Sequence, residues 1–244
     1  VKMTDDGYWS IGAAVPLSDV ERLAKDQAPA LERMLRFFGA RQIKNRGTLG
    51  GNLCTASPIG DTPPVLLALG ARLRLASASG ERLIAIDDFF IGYRQTALQP
   101  GELLIAIEVP PPSEVGETHQ RAFKVSKRQE LDISSISACM SLTLMEREVN
   151  GQQERYVREV RLAYGGMAAT PLRAHQAEQA LLNQAWTVET IEQAIKALDQ
   201  DFTPITDHRA SAWYRQQVAQ NLLRGFWLEV SQGAPERLLY RPSS

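Results

Sequence analysis

The stretch Thr48-Leu49-Gly50-Gly51-Asn52 carries the residues best suited to hold a ligand. Consecutive glycines let a backbone turn through positive φ and aim several N–H groups at one concave spot, which favours an anion. A diphosphate suits such a nest, with side-chain bonds from Thr48 and Asn52. The same residues also read as a plain tight turn, because Gly-Gly followed by Asn is common there. No Gly-Lys-Ser/Thr follows and the glycines do not form G-x-G-x-x-G, so neither standard nucleotide loop is present.

Two charged residues come next. Asp61 precedes Thr62-Pro63-Pro64 and reads first as a helix cap, with a polar ligand group as its other use. Lys124 lies on or beside a strand, where a lysine is usually solvated but can also pair with a phosphate or an electron-rich ring. His119, His175 and His208 have no Ser or Cys motif around them, and Cys54 and Cys139 fit neither a disulfide framework nor a metal spacing. No catalytic residue and no metal ligand is assigned. Redox chemistry must then come from a bound cofactor.

The elements that would position these residues can be read from periodicity and breakers. Tyr8 to Val15 reads as a strand, Leu17-Ser18-Asp19 as a helix start, and Ala28 to Phe38 as a helix closed by Gly39. Ala71–Leu75, the turn at Ser79-Gly80 and Leu83–Ile86 form a hairpin, and Leu103–Val109 a further strand stopped by Pro110-Pro111-Pro112. Beyond it, Ala122–Val125, Ile136–Met145 and Tyr156–Ala163 give three antiparallel strands. Helices follow, with starts at Thr187 and near Asp207. The aromatic groups around Trp213-Tyr214 and Phe226-Trp227 serve a small core or, on the other reading, an assembly face.

Composition narrows the class. At 44% hydrophobic and 23% charged, the 244 residues read as a globular protein, and a net charge of −1 gives no reason to expect nucleic acid as partner. No apolar run approaches the roughly 20 residues of a membrane span, so no membrane partner is expected. Two cysteines suggest a cytoplasmic, reducing home. Opening on Val1 without a signal-peptide pattern, the chain reads as a piece of something longer.

Several strings, in order, resemble the flavin module of the xanthine dehydrogenase-like molybdenum hydroxylases. They are Phe37 to Asn45 followed by Gly47 to Asn52 and Thr55 to Asp61, then Phe89 to Thr96, Phe123 to Arg128, and Ala163 to Ala168. The resemblance implies an α+β fold: residues 1–112 as the second subdomain of a two-part FAD-binding domain, and 119–244 as a C-terminal three-stranded antiparallel sheet with helices. It implies that Thr48, Leu49, Gly50, Gly51 and Asn52 surround the FAD diphosphate, with Gly47 where the backbone must approach closely and Phe38 beside the cofactor. Asp61 would meet polar flavin-side groups, Leu104 the adenine or ring system, and Lys124 the cofactor edge. The charged run Lys127 to Asp132 resembles a loop near the flavin, or is a surface loop.

The implied partners are an iron–sulfur domain and a first flavin subdomain of the same parent chain, and a molybdopterin-binding subunit. Electrons would pass from 2Fe-2S clusters through FAD to NAD during purine hydroxylation. The alternatives are the flavoprotein subunit of a carbon monoxide, nicotinate or aldehyde dehydrogenase, or a non-catalytic assembly piece. Because the other flavin subdomain is missing, the fragment is expected to hold FAD weakly and to be inactive alone. A valine at Gly50 is expected to remove flavin without unfolding the subunit, since a β-branched residue cannot take positive φ.

Overall fold

The computed structural model of the protein describes residues 1–128 and 131–232. In chain order the elements are β1 (Lys2–Met3), β2 (Trp9–Gly12), α1 (Leu17–Gln27), α2 (Pro29–Arg36), α3 (Arg41–Lys44), α4 (Leu49–Cys54) and α5 (Thr62–Leu69). Then come β3 (Arg72–Ser77), β4 (Gly80–Ala85), β5 (Phe90–Gly92), β6 (Gln95–Thr96) and β7 (Leu103–Val109). After the triple proline follow β8 (Glu117–Val125), β9 (Ile136–Val149), β10 (Gln152–Gly165), β11 (Leu172–Arg173), α6 (His175–Leu181), α7 (Val188–Asp201) and α8 (Ala212–Gln232).

Two large antiparallel sheets organise this α+β chain, and β5 and β6 form a separate two-stranded one. The first runs β1-β2-β7-β3-β4, and the second β11-β10-β9-β8. The second sheet has four strands where three were expected. The extra strand is only two residues long, Leu172–Arg173 beside Ala163 and Tyr164, too short to show a periodic pattern in sequence.

Alternation explains the first sheet. Ile11, Leu73, Leu75 and Ile107 face the helices and are fully buried, while Ser10, Arg72, Arg74 and Glu108 lie on the opposite face. There Glu108 is bridged by Arg72 at 2.6 Å and Arg74 at 2.8 Å. A register shift between Arg74 and Leu75 pairs Leu75 with Leu104, turning Leu104 inward and leaving Ile105 as the extra residue. On the β2 side the Ile105 carbonyl accepts from the Ala13 N–H at 2.9 Å, extending the β2–β7 ladder by one bond and fixing Ala13 beside the glycine-rich turn.

Helix α5 lies between the sheets. All eight of its residues are buried, and it packs against α2, α4, β9 and β10. A helix apolar on every side belongs in an interior. The first hydrophobic core therefore takes in Ala122, Cys139 and Ala163 from the second sheet as well as the residues of the first. The second core lies on the opposite face of that sheet, where Met140, Leu142, Leu162 and Tyr164 meet α6, α7 and α8.

Helix α8 begins at Ala212 and not near Asp207. The Asp207 carboxylate instead accepts from the N–H groups of Arg209 and Ala210 in a tight turn, which delays the helix. Its inward stripe is Arg215, Ala219, Leu222, Leu223, Phe226 and Glu229, so Phe226 is core as expected. Trp213 is 71% exposed and Tyr214 40%, so those two aromatics lie outside the core.

Candidate functional site

The glycine-rich turn is a short helix start and not a positive-φ nest. Gly50 and Gly51 lie in the first turn of α4 and neither has positive φ. Thr48 is the N-cap, its Oγ1 accepting from the Gly51 N–H at 3.0 Å. The Gly50 N–H donates to the Ala13 carbonyl at 3.1 Å, so both glycine N–H groups are spent inside the protein. What glycine permits at position 50 is close approach. A Cβ there would lie 2.6 Å from Ala13 Cβ and 2.8 Å from the Ala13 carbonyl oxygen.

Around this turn, Gly47 donates to the Ile43 carbonyl at 2.6 Å and accepts from the Leu17 N–H at 2.9 Å, which seats the turn on α1 and α3. Leu49 is fully buried and anchors α4 in the first core. Gly51 is exposed, and Thr48 and Asn52 are half-buried, so the outward face of the turn carries little side-chain bulk. Asn52 Oδ1 accepts from Thr62 Oγ1 at 2.6 Å, joining the turn to the start of α5.

At that start stands Asp61. Its side chain does not cap α5. One carboxylate oxygen accepts from Lys124 Nζ at 2.7 Å and the other from Ser134 Oγ at 2.5 Å. Cap geometry loses to a buried ion pair, because Asp61 is 7% exposed and Lys124 6%, and a charge taken out of water must be matched first. Lys124 is accordingly no solvated strand lysine.

The segment Pro58–Asp61 is fastened at four points by the second sheet and the residues flanking its strand ends. Besides the two bonds to Asp61, Ser137 Oγ donates to the Gly60 carbonyl at 3.2 Å and the Gly166 N–H to the Pro58 carbonyl at 2.7 Å. Gly166 has φ +85, and a Cβ on it would lie 2.4 Å from the Ser135 carbonyl oxygen, which explains the glycine there.

The structure thus brings Gly47, Thr48, Leu49, Gly50, Gly51, Asn52, Asp61 and Lys124 into one bonded assembly. Leu104 lies on β7, against which α4 packs, and is 9% exposed. Phe38 follows α2 and packs half-buried on the first core; among the described residues no hydrogen bond or ring stacking ties it to the assembly. Of the charged run Lys127 to Asp132, Gln129 and Glu130 lie outside the described residues. Sequence reasoning missed Thr62, Ser134 and Ser137 as participants, and also Arg215. The run Ser134-Ser135-Ile136-Ser137, hydroxyls entering an apolar strand, was the available signal.

Arg215 is 1% exposed; its guanidinium meets the Ser135 and Gly166 carbonyls and, at 2.9 Å, Asp207 Oδ1. Partial burial pushes the Asp207 pKa up, but the N–H groups of Ala210 and Arg209 and the Arg215 guanidinium outweigh it and hold the value down to about 2. A depressed carboxylate stabilises the fold above its unfolded pKa, and that stability fades as pH falls from about 4 to about 2. Asp207→Asn is therefore expected to cost on the order of 1 kcal/mol at neutral pH, allowing for solvent screening of a partly exposed group, and to flatten stability between those pH values. Urea unfolding at pH 7 and pH 3 checks this; equal differences at both would contradict it.

Comparison with known proteins gives a consistent family. Residues 1–112 match the model described as FAD binding domain in molybdopterin dehydrogenase, and residues 121–230 match CO dehydrogenase flavoprotein C-terminal domain. The glyceraldehyde dehydrogenase medium chain of Sulfolobus acidocaldarius is 31% identical over 91% of this chain and 75% of its own. The xanthine dehydrogenase/oxidase of Gallus gallus is 38% identical over 95% of this chain, which spans only 17% of that relative's length. Among solved structures, a carbon monoxide dehydrogenase from Hydrogenophaga pseudoflava superposes with a TM-score of 0.81 at 27% identity, covering 92% of this chain and 75% of that one.

Proposed function

This chain belongs to the FAD-binding flavoprotein family of the molybdopterin dehydrogenases, and on that premise we propose that it forms one jaw of an FAD site in a xanthine dehydrogenase-type molybdenum hydroxylase. The observation that carries this reading is the Lys124 ammonium. It is buried, yet among the described residues only Asp61 accepts from it, which leaves two of its three N–H donors for another acceptor. Through Asp61, Thr62 and Asn52 that donor is joined to the exposed, side-chain-poor face of the Thr48–Asn52 turn.

These residues fit a flavin dinucleotide. The Thr48 hydroxyl and the Asn52 side-chain amide offer donors to a diphosphate lying against the side-chain-free Gly51, Lys124 offers donors to a carbonyl-rich ring edge, and Leu104 and Phe38 supply apolar contact. Bound FAD supplies electron acceptance from 2Fe-2S clusters and hydride donation to NAD. The protein's own part is to bind, orient and set the charge around it. Asp61 holds the lysine in place, and Ser134 holds Asp61.

The 38% identity with the Gallus gallus enzyme favours a purine-hydroxylating parent. The similar identity of the Sulfolobus acidocaldarius medium chain supports the rival reading, an aldehyde-oxidising parent built from separate subunits. In either case an iron–sulfur domain and a molybdopterin-binding subunit are the proposed partners.

The test is flavin retention. The parent flavoprotein is expected to leave gel filtration yellow with bound FAD, and the 244-residue chain alone to bind about a hundredfold more weakly or worse, since each 1.4 kcal/mol of lost contact is a factor of about ten. A colourless parent, or a fragment that retains FAD as tightly, overturns the reading.

A further inference from the structure

Arg215 sits on α8, far along the chain from the glycine-rich turn, yet it is one step removed from both supports of the Pro58–Asp61 segment. Its Nη1 donates to the carbonyls of Ser135 and Gly166. The residue before Ser135 is Ser134, whose hydroxyl holds Asp61. Gly166, through its own N–H, holds the Pro58 carbonyl. One guanidinium therefore fixes the spacing between the end of β10 and the entry to β9, the two strand ends that carry the segment.

The energetics favour a placing role over simple stabilisation. Arg215 is almost wholly buried and its Nε has no hydrogen-bond partner. Desolvating a guanidinium while leaving one donor unmet is costly, and a well-packed apolar side chain on this helix face would avoid that cost. Only the planar fork of an arginine reaches two carbonyls and a carboxylate at once. Asp207, tied to the following turn, holds the fork from its other end.

We propose that Arg215 is a positioning residue for the flavin site: by clamping the Ser135 and Gly166 carbonyls it sets the position of Asp61 and, through it, of the Lys124 ammonium. The inference rests on the flavin reading above. Loss of the clamp moves the lysine relative to the bound ring, so both the affinity for FAD and the reduction potential of the bound flavin change.

The experiment compares the intact parent enzyme with its Arg215→Met and Arg215→Lys variants, and with Arg224→Met as a control that breaks the half-exposed pair with Glu192. FAD content, FAD dissociation constant, flavin midpoint potential and thermal midpoint are measured on each. Arg215→Met is expected to weaken FAD binding by about ten- to a hundredfold, which is about 1.4–2.8 kcal/mol of binding free energy, and to shift the potential. Arg215→Lys, which keeps the charge without the fork, is expected to recover most of the thermal midpoint and little of the affinity; should Arg215→Met not fold, this variant carries the test. The control is expected to change neither affinity nor potential. Wild-type affinity and potential in the Arg215→Lys enzyme, or in a folded but less stable Arg215→Met enzyme, overturn the proposal and leave the flavin reading standing. Absence of FAD from the unmodified parent overturns both.

Discussion

Lys124→Met is expected to destabilise the protein by about 3–5 kcal/mol, the cost of leaving one member of a buried ion pair without its partner. The side chains of Lys124 and Asp61 are 5% and 9% exposed, so water cannot take over the role of the missing ammonium. Ser134 still donates to Asp61 in the variant, but a single hydroxyl does not neutralise a carboxylate. Adding Asp61→Asn removes the stranded charge while keeping an acceptor for Ser134, and is expected to restore at least half of the loss. Chemical denaturation of both variants checks this. A Lys124→Met protein within about 1 kcal/mol of wild type, the range of a surface pair, would show that the pair is effectively solvated. Both variants are expected to lose FAD, so stability and flavin retention part company in the double variant.

The second large effect belongs to Gly50. Gly50→Ala places a methyl group 2.6 Å from Ala13 Cβ, 2.8 Å from its carbonyl oxygen and 3.1 Å from its Cα. Ala13 cannot yield easily, because its N–H is held by Ile105 and its carbonyl by Gly50 itself. Overpacking against backbone costs about 1–3 kcal/mol, and this site belongs at the upper end of that range or above it. Valine is expected to be worse. The positive-φ reason for expecting a valine here to remove flavin and spare the fold is corrected: the residue at position 50 is constrained by contact with Ala13, not by its φ, and fold and flavin are expected to be lost together. Ala13→Gly in the same chain removes the closest contact and is expected to recover part of the thermal midpoint. A Gly50→Ala protein that melts with wild type would contradict the packing account.

Why was so much of this legible from residues alone? The longer strands of both sheets alternate in polarity or run apolar between clear breakers, and the hairpin turn at Ser79-Gly80 and the triple proline mark ends among them, whereas the two-residue strands β1 and β11 carry no pattern. The Thr48–Asn52 turn stands out because small residues cluster there. The conformation of that turn was not legible, since Gly-Gly serves equally for positive φ and for close packing, and only the nearness of Ala13 decides between them. Asp61 was read as a cap because the nearest sequence neighbours suit one. Its actual partners lie 63 and 73 residues away, beyond the reach of local spacing. Arg215 was invisible for the same reason: one arginine in an apolar helical stripe looks like a surface residue until the strand ends beside it are known.

The burial of α5 on every side has a mechanical consequence. The backbone crosses from one sheet to the other at the triple proline, but the load between them is carried by a rod of eight buried residues, seven of them apolar, that neither sheet can release without exposing its own interior. A displacement of the second sheet, for instance by a subunit pressing on its helices, would reach the Thr48–Asn52 turn as a rigid shift. It would not be absorbed by a hinge.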